Sequence, residues 1–164
     1  MSMLILGIDP GTATTGFGLI RSENKKLEVI DFGLIETEKN GNPGKRLVSI
    51  YKQVKDLFKE FGPDIVAIER LFFATNAKTA MAVGQAHGVM LFAAAESNIE
   101  IVEYAPGTIK KTVAGDGRAD KKLVQKAVRG FLGAKVRSRA RKKTHFDNAA
   151  DALAVALCHI YKAT

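Results

Sequence analysis

Residues 3–23 read MLILGIDPGTATTGFGLIRSE and combine two apolar runs with a turn rich in Gly and Thr. The first run, MLILGIDP, has the continuous apolar character of a strand that is buried on both faces. The second run, GFGLIRSE, follows so closely that an antiparallel pairing is expected. The chain is therefore predicted to begin with two paired strands, and Asp9 falls at the end of the first.

Downstream of this pair the pattern alternates between strands and helices. LEVIDFGLIET is predicted as a third strand after the tight connection ENKK, and apolar residues from Leu47 to Phe61 recur at the spacing of an amphipathic helix that Gly62-Pro63 ends. DIVAIE is then a short buried strand. Because a helix separates it from the first three strands, it is expected to lie parallel to the first.

The second half of the chain contributes one more strand and four helical patterns. The strand is IEIVEYA, and the helical segments are NAKTAMAVGQAHGVMLFAAAES, TIKKTVAG, DGRADKKLVQKAVRGFL and FDNAADALAVALCHIYK. We therefore predict an α/β fold in one domain spanning residues 1–164. Its mixed five-stranded sheet has the first three strands antiparallel and is flanked by helices.

Composition favours a folded protein with a polyanionic partner. Hydrophobic residues make up 46% and charged residues 26% of the 164-residue chain, and 25 Lys and Arg against 17 Asp and Glu give a net charge of +8. Such a balance favours nucleic acid first and an anionic membrane surface second. Six of the nine residues from Lys135 to Lys143 are basic.

Cysteine usage and hydropathy argue against several other classes. The single cysteine, Cys158, excludes an intramolecular disulfide and a Cys-rich zinc site, and its apolar surroundings predict a buried thiol. No apolar segment approaches the roughly 20 residues of a membrane span, and the N-terminus lacks the basic region of a signal peptide. We expect a soluble cytoplasmic protein with no membrane role.

Three carboxylates lie where strongly apolar segments meet polar ones, namely Asp9, Glu69 and Asp151. Buried acids are costly unless they are paired or bound to metal. If the first and fourth strands are adjacent and parallel, they lie about 4.8 Å apart and the carboxylates of Asp9 and Glu69 converge. Asp151 would come from the C-terminal helix laid across the sheet. The pattern predicts a divalent-cation site, and pooled carboxylates suit two Mg²⁺ ions about 3.5–4 Å apart.

Four segments carry a family resemblance: ILGIDPGTATTGFGLI, IVAIERLFFATNAKTAMAVGQAHGV, YAPGTIKKTVAG and NAADALAVALCH. In this order, over nearly the whole chain, they resemble the RuvC family of Holliday junction resolvases. The resemblance implies an RNase H-like fold and a homodimer that nicks two opposed strands of a four-way DNA junction in recombination and repair. It also implies Mg²⁺, two ions per site with Mn²⁺ able to substitute, and leaves open a branch-migration helicase complex as a partner.

The resemblance assigns Asp9, Glu69 and Asp151 to three of the family's metal-binding acids, but the usual fourth acid falls at Asn148. NAADALA stands here in place of DAADALA. An amide oxygen can touch Mg²⁺ without bringing charge, so about −3 rather than about −4 would face two divalent ions. We expect weakened metal binding and cutting. Asp147 is interpreted either as an N-cap of the last helix or as a substitute ligand.

The same resemblance suggests DNA contacts. Phe72 matches a family aromatic that stacks on a base, Lys110 and Lys121 match basic positions near the active site, and Phe73 is interpreted as core. Arg118, beside Gly117, is a further candidate phosphate contact. The basic run before the last helix is expected to touch phosphates through Arg137, Arg139, Arg141, Lys142 and Lys143.

The sequence also leaves alternative functions open and contains a candidate dimer surface. GIDPGTATTG also resembles the first phosphate loop of the sugar kinase, actin and chaperone ATPase superfamily, whose second domain a chain of 164 residues cannot supply. A junction-binding protein that does not cut, and an RNase H-like nuclease acting on another nucleic acid, stay as rivals. Small residues along the helix over 76–97 make it a candidate dimer seam. His87 and His159 are interpreted as packing or surface residues. His145 is nearer the site, but it lies about 120° from Asp151 in azimuth on a continued helix and does not match the position where some resolvases of this family place a histidine.

Overall fold

The computed structural model describes residues 1–11, 13–38, 41–70, 76–133, 136 and 143–163. Its elements in chain order are β1 (Ser2–Asp9), β2 (Thr14–Glu23), β3 (Lys26–Glu36), α1 (Pro43–Phe61), β4 (Ile65–Glu69), α2 (Ala77–Glu96), β5 (Glu100–Tyr104), α3 (Pro106–Ala114), α4 (Lys121–Leu132) and α5 (Lys143–Ala163).

The five strands form one sheet in the order β3-β2-β1-β4-β5. β2 pairs antiparallel with both β1 and β3, whereas β4 lies parallel to both β1 and β5. The predicted mixed sheet with three antiparallel strands is confirmed. Because β1 is central, the residue that follows its last apolar side chain lies in the middle of one edge of the sheet.

Local sequence sets the connections. Asn24 and Lys25 have φ values of 49° and 64° and join Glu23 to Lys26 in a two-residue hairpin turn, the connection for which positive φ at both positions is required. Gly62 ends α1 with a φ of 58°, and its N–H donates to the carbonyl of Phe58. Both features match the turn and helix end predicted at these positions.

The starts of the last two helices differ from the predictions by three residues or more. α4 begins at Lys121 rather than at Asp116, because the side chain of Asp120 caps it by accepting a hydrogen bond of 2.8 Å from the Leu123 N–H. α5 begins at Lys143, so Asp147 is the fifth residue of that helix. An N-cap must precede the first helical residue, and the interpretation of Asp147 as a cap is therefore wrong.

The sheet divides the core into two layers. One face packs against α1 and α2, and its buried residues include Leu6, Ile8, Leu19, Val54 and Met90. The other packs against α3, α4 and α5 through Ile5, Ala67, Val124, Val128 and Leu153. Cys158 is fully buried in the second layer, as its apolar context indicated. Among the helices of the described residues, none is long and apolar enough to cross a bilayer.

Candidate active site

Asp9 and Glu69 lie side by side where β1 and β4 end. The parallel register pairs Ile8 with Ile68, so the next residue along each strand is one of the two acids. Side chains alternate along a strand, which places both acids on the face of Ile5 and Ala67, the face covered by α5. A side-chain hydrogen bond joins the two carboxyl groups. The predicted convergence of these acids is what the fold produces.

α5 approaches this pair closely because the strands beneath it carry glycines. A Cβ atom on Gly7 would overlap the carbonyl oxygen of Ala152, and one on Gly16 would lie 2.6 Å from the carbonyl oxygen of Asn148. Gly16 is also the cross-strand partner of Asp9. The backbone of α5 at Asn148 therefore passes directly over the strand position beside Asp9.

Charge and burial couple the three acids. The pKa of Asp9 is raised from 3.8 to about 8 by burial, by the hydrogen bond to Glu69 and by the charge of Glu69, against the opposing effect of Lys121. The pKa of Asp151 is also raised, first by burial and then by Asp9, while Lys121 and Lys110 oppose the shift. Asp151 and both lysines thus lie within electrostatic range of the acid pair.

The donor set suits a hard cation. Within the described residues, no three His, Cys, Asp or Glu side chains converge closely enough to form a ready-made metal cage. The arrangement is a hydrogen-bonded carboxyl pair with a third carboxylate nearby. Mg²⁺ is commonly held by one or two carboxylates and keeps several waters. A cation would also favour ionisation of Asp9, whose charged form burial disfavours. The residues therefore fit a divalent metal.

The other predicted site residues lie on or next to the last three helices, or fall outside the described residues. Asn148 has an exposed side chain at the rim, whereas Asp147 is half-buried. Lys110 lies on α3, Lys121 is the first residue of α4, and exposed Arg118 lies between these helices. Lys143 is the first residue of α5. Outside the described residues fall Phe72, Phe73, Arg137, Arg139, Arg141 and Lys142.

Sequence reasoning missed a network of polar contacts on the sheet face opposite the acid pair. His87 of α2 is buried, and its Nε2 lies 2.9 Å from Oε1 of Glu103, whose Oε2 lies 4.0 Å from Nε of Arg70. His159 is likewise buried, with Nδ1 2.7 Å from the Tyr104 hydroxyl. Both histidines are packing residues, as expected. Their partners became visible only with the strand pairing, because no local pattern connects them.

The raised pKa of Asp9 predicts how the stability of the metal-free protein depends on pH. Between 3.8 and about 8, folded Asp9 keeps a proton that the unfolded chain releases, so the free energy of unfolding falls as pH rises through this interval. We expect the free energy of unfolding of Asp9→Asn to fall less steeply with pH, and its melting temperature at pH 8 to be several degrees higher than that of the parent chain. Scanning calorimetry from pH 5 to pH 9 in chelator measures this.

The matched control is Asp56→Asn, which removes an exposed carboxylate from α1 on the other side of the sheet. Its free energy of unfolding should fall with pH as steeply as that of the parent chain. Mg²⁺ should raise the melting temperature of the parent chain at pH 8 more than that of Asp9→Asn. An unchanged pH slope in Asp9→Asn would contradict the assignment of this titration to Asp9.

The sheet order, with acids at the ends of two adjacent parallel strands and a third acid on a helix laid across them, defines an RNase H-like fold with a carboxylate site. The family model described as crossover junction endodeoxyribonuclease RuvC matches residues 5–159. The chain belongs to the RuvC family.

Known RuvC proteins are similar to this chain in sequence and in structure over nearly its full length. RuvC of Natranaerobius thermophilus is 48% identical over 157 residues, covering 96% of this chain and 94% of the relative. RuvC of Caldicellulosiruptor saccharolyticus is 45% identical, covering 96% and 92%. The structure of Thermus thermophilus RuvC superposes with a TM-score of 0.84 at 35% identity, covering 98% of this chain and 95% of that one. The same protein in complex with Holliday junction substrate gives 0.85 at 32% identity, covering 98% and 94%.

Proposed function

We propose that this chain is a structure-selective endonuclease that resolves four-way DNA junctions by metal-dependent hydrolysis of phosphodiester bonds, in recombination and repair. The observation that carries the proposal is the Asp9–Glu69 carboxyl pair, with Asp151 beside it, at the edge of the RuvC-family sheet. The structural relative from Thermus thermophilus binds a Holliday junction substrate. The chain acts in the cytoplasm as one nuclease domain.

Asp9, Glu69 and Asp151 are the proposed ligands of Mg²⁺, two ions per site, with Mn²⁺ able to substitute. When bound, the ions supply an activated water and charge stabilisation of the leaving oxygen. Asp9 occupies the centre of the set because it contacts Glu69 and repels Asp151. Lys121 and Lys110 hold the scissile phosphate against the acids, a role supported by their electrostatic effect on Asp151.

Asn148 is the proposed weak member of the ligand set. Its backbone lies over Gly16, the strand partner of Asp9, so a carboxylate at this position would be available to the same metals. An amide brings an oxygen but no charge. This observation favours a second candidate function, a protein that binds the junction and cuts it slowly or not at all. Asp147, one residue earlier on α5, is the proposed alternative ligand.

DNA recognition is proposed to extend beyond the metal ligands. Phe72 would stack on an unpaired base near the junction centre. Arg118 and the basic run preceding α5 would contact phosphates. These phosphate ligands, besides Arg118, are Arg137, Arg139, Arg141, Lys142 and Lys143.

A homodimer is proposed because two opposed strands are cut, and α2 is its candidate interface. Met81 and Phe92 on α2 are 66% and 59% exposed. Beside Met81, an apolar groove of about 410 Å³ separates α2 from α1 and is lined in part by Leu47 and Ile50. Exposed apolar surface of this kind marks interaction sites. A branch-migration helicase complex is a further proposed partner.

A labelled four-way junction tests the function. With Mg²⁺ or Mn²⁺ we expect a complex of two chains per junction, preferred over linear duplex, and nicks placed symmetrically on opposed strands. Glu69→Gln should keep the complex and lose the nicks, because it removes a metal ligand without removing the DNA surface. Strand-resolved electrophoresis and light scattering give both readouts. Equal binding of duplex and junction, or cleavage of an RNA–DNA hybrid in preference to the junction, would contradict the proposal.

A further inference from the structure

We propose that one face of α4 binds the phosphate backbone of a duplex arm as it leaves the active site. This face, the α4 track, consists of Lys122, Lys126 and Arg129. The proposal rests on the proposed function, since it names further DNA contacts of the same enzyme, and it assigns binding to residues outside the acid site and the basic run before α5.

The charge of α4 is one-sided. The helix carries four basic residues and no acidic one between Lys121 and Leu132. Val124 and Val128 bury its inner face in the core. The three residues of the α4 track are spaced four and three positions apart, so they span only about 60° around the helix axis. They lie on the side of the helix opposite these two valines. Lys122 and Lys126 are exposed and Arg129 is half-exposed.

The α4 track begins beside the chemistry. Lys121, one residue before Lys122, opposes the pKa shifts of both Asp9 and Asp151. From Lys122 to Arg129 the helix then extends for about 10 Å along its axis. The N-terminal end of a helix also carries partial positive charge, which favours a phosphate there. DNA held at the acids would therefore meet this helix first at its positive end.

A concavity of about 480 Å³ joins the start of the α4 track to Arg118, and its lining includes Lys122 and Lys126. Two carboxylates, Asp116 and Asp120, line it as well. Each of these accepts a backbone N–H, from Arg118 at 2.9 Å and from Leu123 at 2.8 Å, so each is committed to holding the α3–α4 connection. The basic side chains here, Arg118 and the three of the α4 track, still outnumber the two carboxylates, so the surface is positive overall.

The basic side chains of the α4 track have no ion-pair partner among the described residues. α1, on the opposite face of the sheet, differs because Asp56 and Glu60 alternate with its lysines. A solvated helix of ordinary composition would resemble α1. Three cations aligned on one face, without an ion-pair partner in the described part of the chain, match a polyanion instead.

The test is the salt dependence of junction binding without divalent cation, so that no DNA is cut. The variant is Lys122→Ala/Lys126→Ala/Arg129→Ala, and the matched control is Lys45→Ala/Lys52→Ala/Lys59→Ala, which removes the same charge from exposed positions of α1. Each lost phosphate contact should reduce the slope of log affinity against log salt by about 0.9. We expect the α4 variant to lose roughly 2 to 3 in slope and at least tenfold in affinity near 0.1 M salt.

The control should keep the slope of the parent chain. An unchanged slope in the α4 variant, or an equal loss in the α1 control, would overturn the α4 track, the second outcome because net charge alone would then explain the effect. If circular dichroism shows that the triple variant is unfolded, the three single variants replace it, each expected to lose about 0.9 in slope. Failure of the parent chain to prefer a junction would instead overturn the proposed function.

Discussion

Asn148→Asp is expected to accelerate Mg²⁺-dependent junction cleavage on the order of 100-fold, the scale on which a group that stabilises transition-state charge contributes. The backbone at position 148 lies over Gly16, beside Asp9, so the new carboxylate enters the existing set without rearrangement of α5. It restores a charge of about −4 opposite two divalent ions. Single-turnover cleavage of a labelled junction across a Mg²⁺ titration measures both the rate and the metal requirement.

Two controls separate charge from structure. Asn98→Asp adds the same charge in the turn before β5, at the end of the sheet opposite Glu69, and should leave the rate unchanged. Asn148→Ala removes the amide oxygen and should cut no faster than the parent chain. Junction affinity without metal should be similar for all of these proteins. If the parent chain already cuts as fast as Asn148→Asp, position 148 is not a limiting ligand, and Asp147 becomes the candidate substitute.

Gly7→Ala is expected to destabilise the fold by about 3 kcal/mol or more, at or beyond the upper end of the usual cost of overpacking. The added methyl group would overlap the Ala152 carbonyl oxygen and lie 2.8 Å from the Ala156 nitrogen. Both are helix backbone atoms, so neither can move without shifting α5 as a whole. At roughly 2–4 °C per kcal/mol, the melting temperature should fall by about 6–12 °C or more.

Gly130→Ala is the matched control, because a Cβ there meets no atom of the described residues within 4 Å. In a helix interior this change should stabilise by roughly 0.5–1 kcal/mol. Thermal unfolding of the two variants gives the comparison. Gly7→Ala should also lose cleavage, because any shift of α5 displaces Asp151 from Asp9. A melting temperature within a degree of the parent chain would show that α5 does not pack on β1 as closely as described.

Much of this molecule could be predicted from local pattern. Three elements are predicted by short stretches of sequence. They are the apolar run that ends at Asp9, the amphipathic stripe from Leu47 to Phe61 and the buried strand that ends at Glu69. Their order fixes the parallel pairing of β1 with β4. With that pairing, the meeting of two carboxylates at one sheet edge follows from strand spacing alone.

Other features depend on contacts between distant segments. No local signal shows that α5 starts at Lys143, so Asp147 could be mistaken for a cap. Gly7 and Gly16 resemble ordinary strand glycines until α5 lies across them, and Glu103 becomes the partner of His87 only once β5 lies beside β4. Residue type and periodicity act over a few positions, whereas close packing and charge pairing are set by whichever surfaces the completed sheet brings together. For this reason the sequence could supply the acids of the site, while the raised pKa values of Asp9 and Asp151 and the path of the helix above them arose from the tertiary fold.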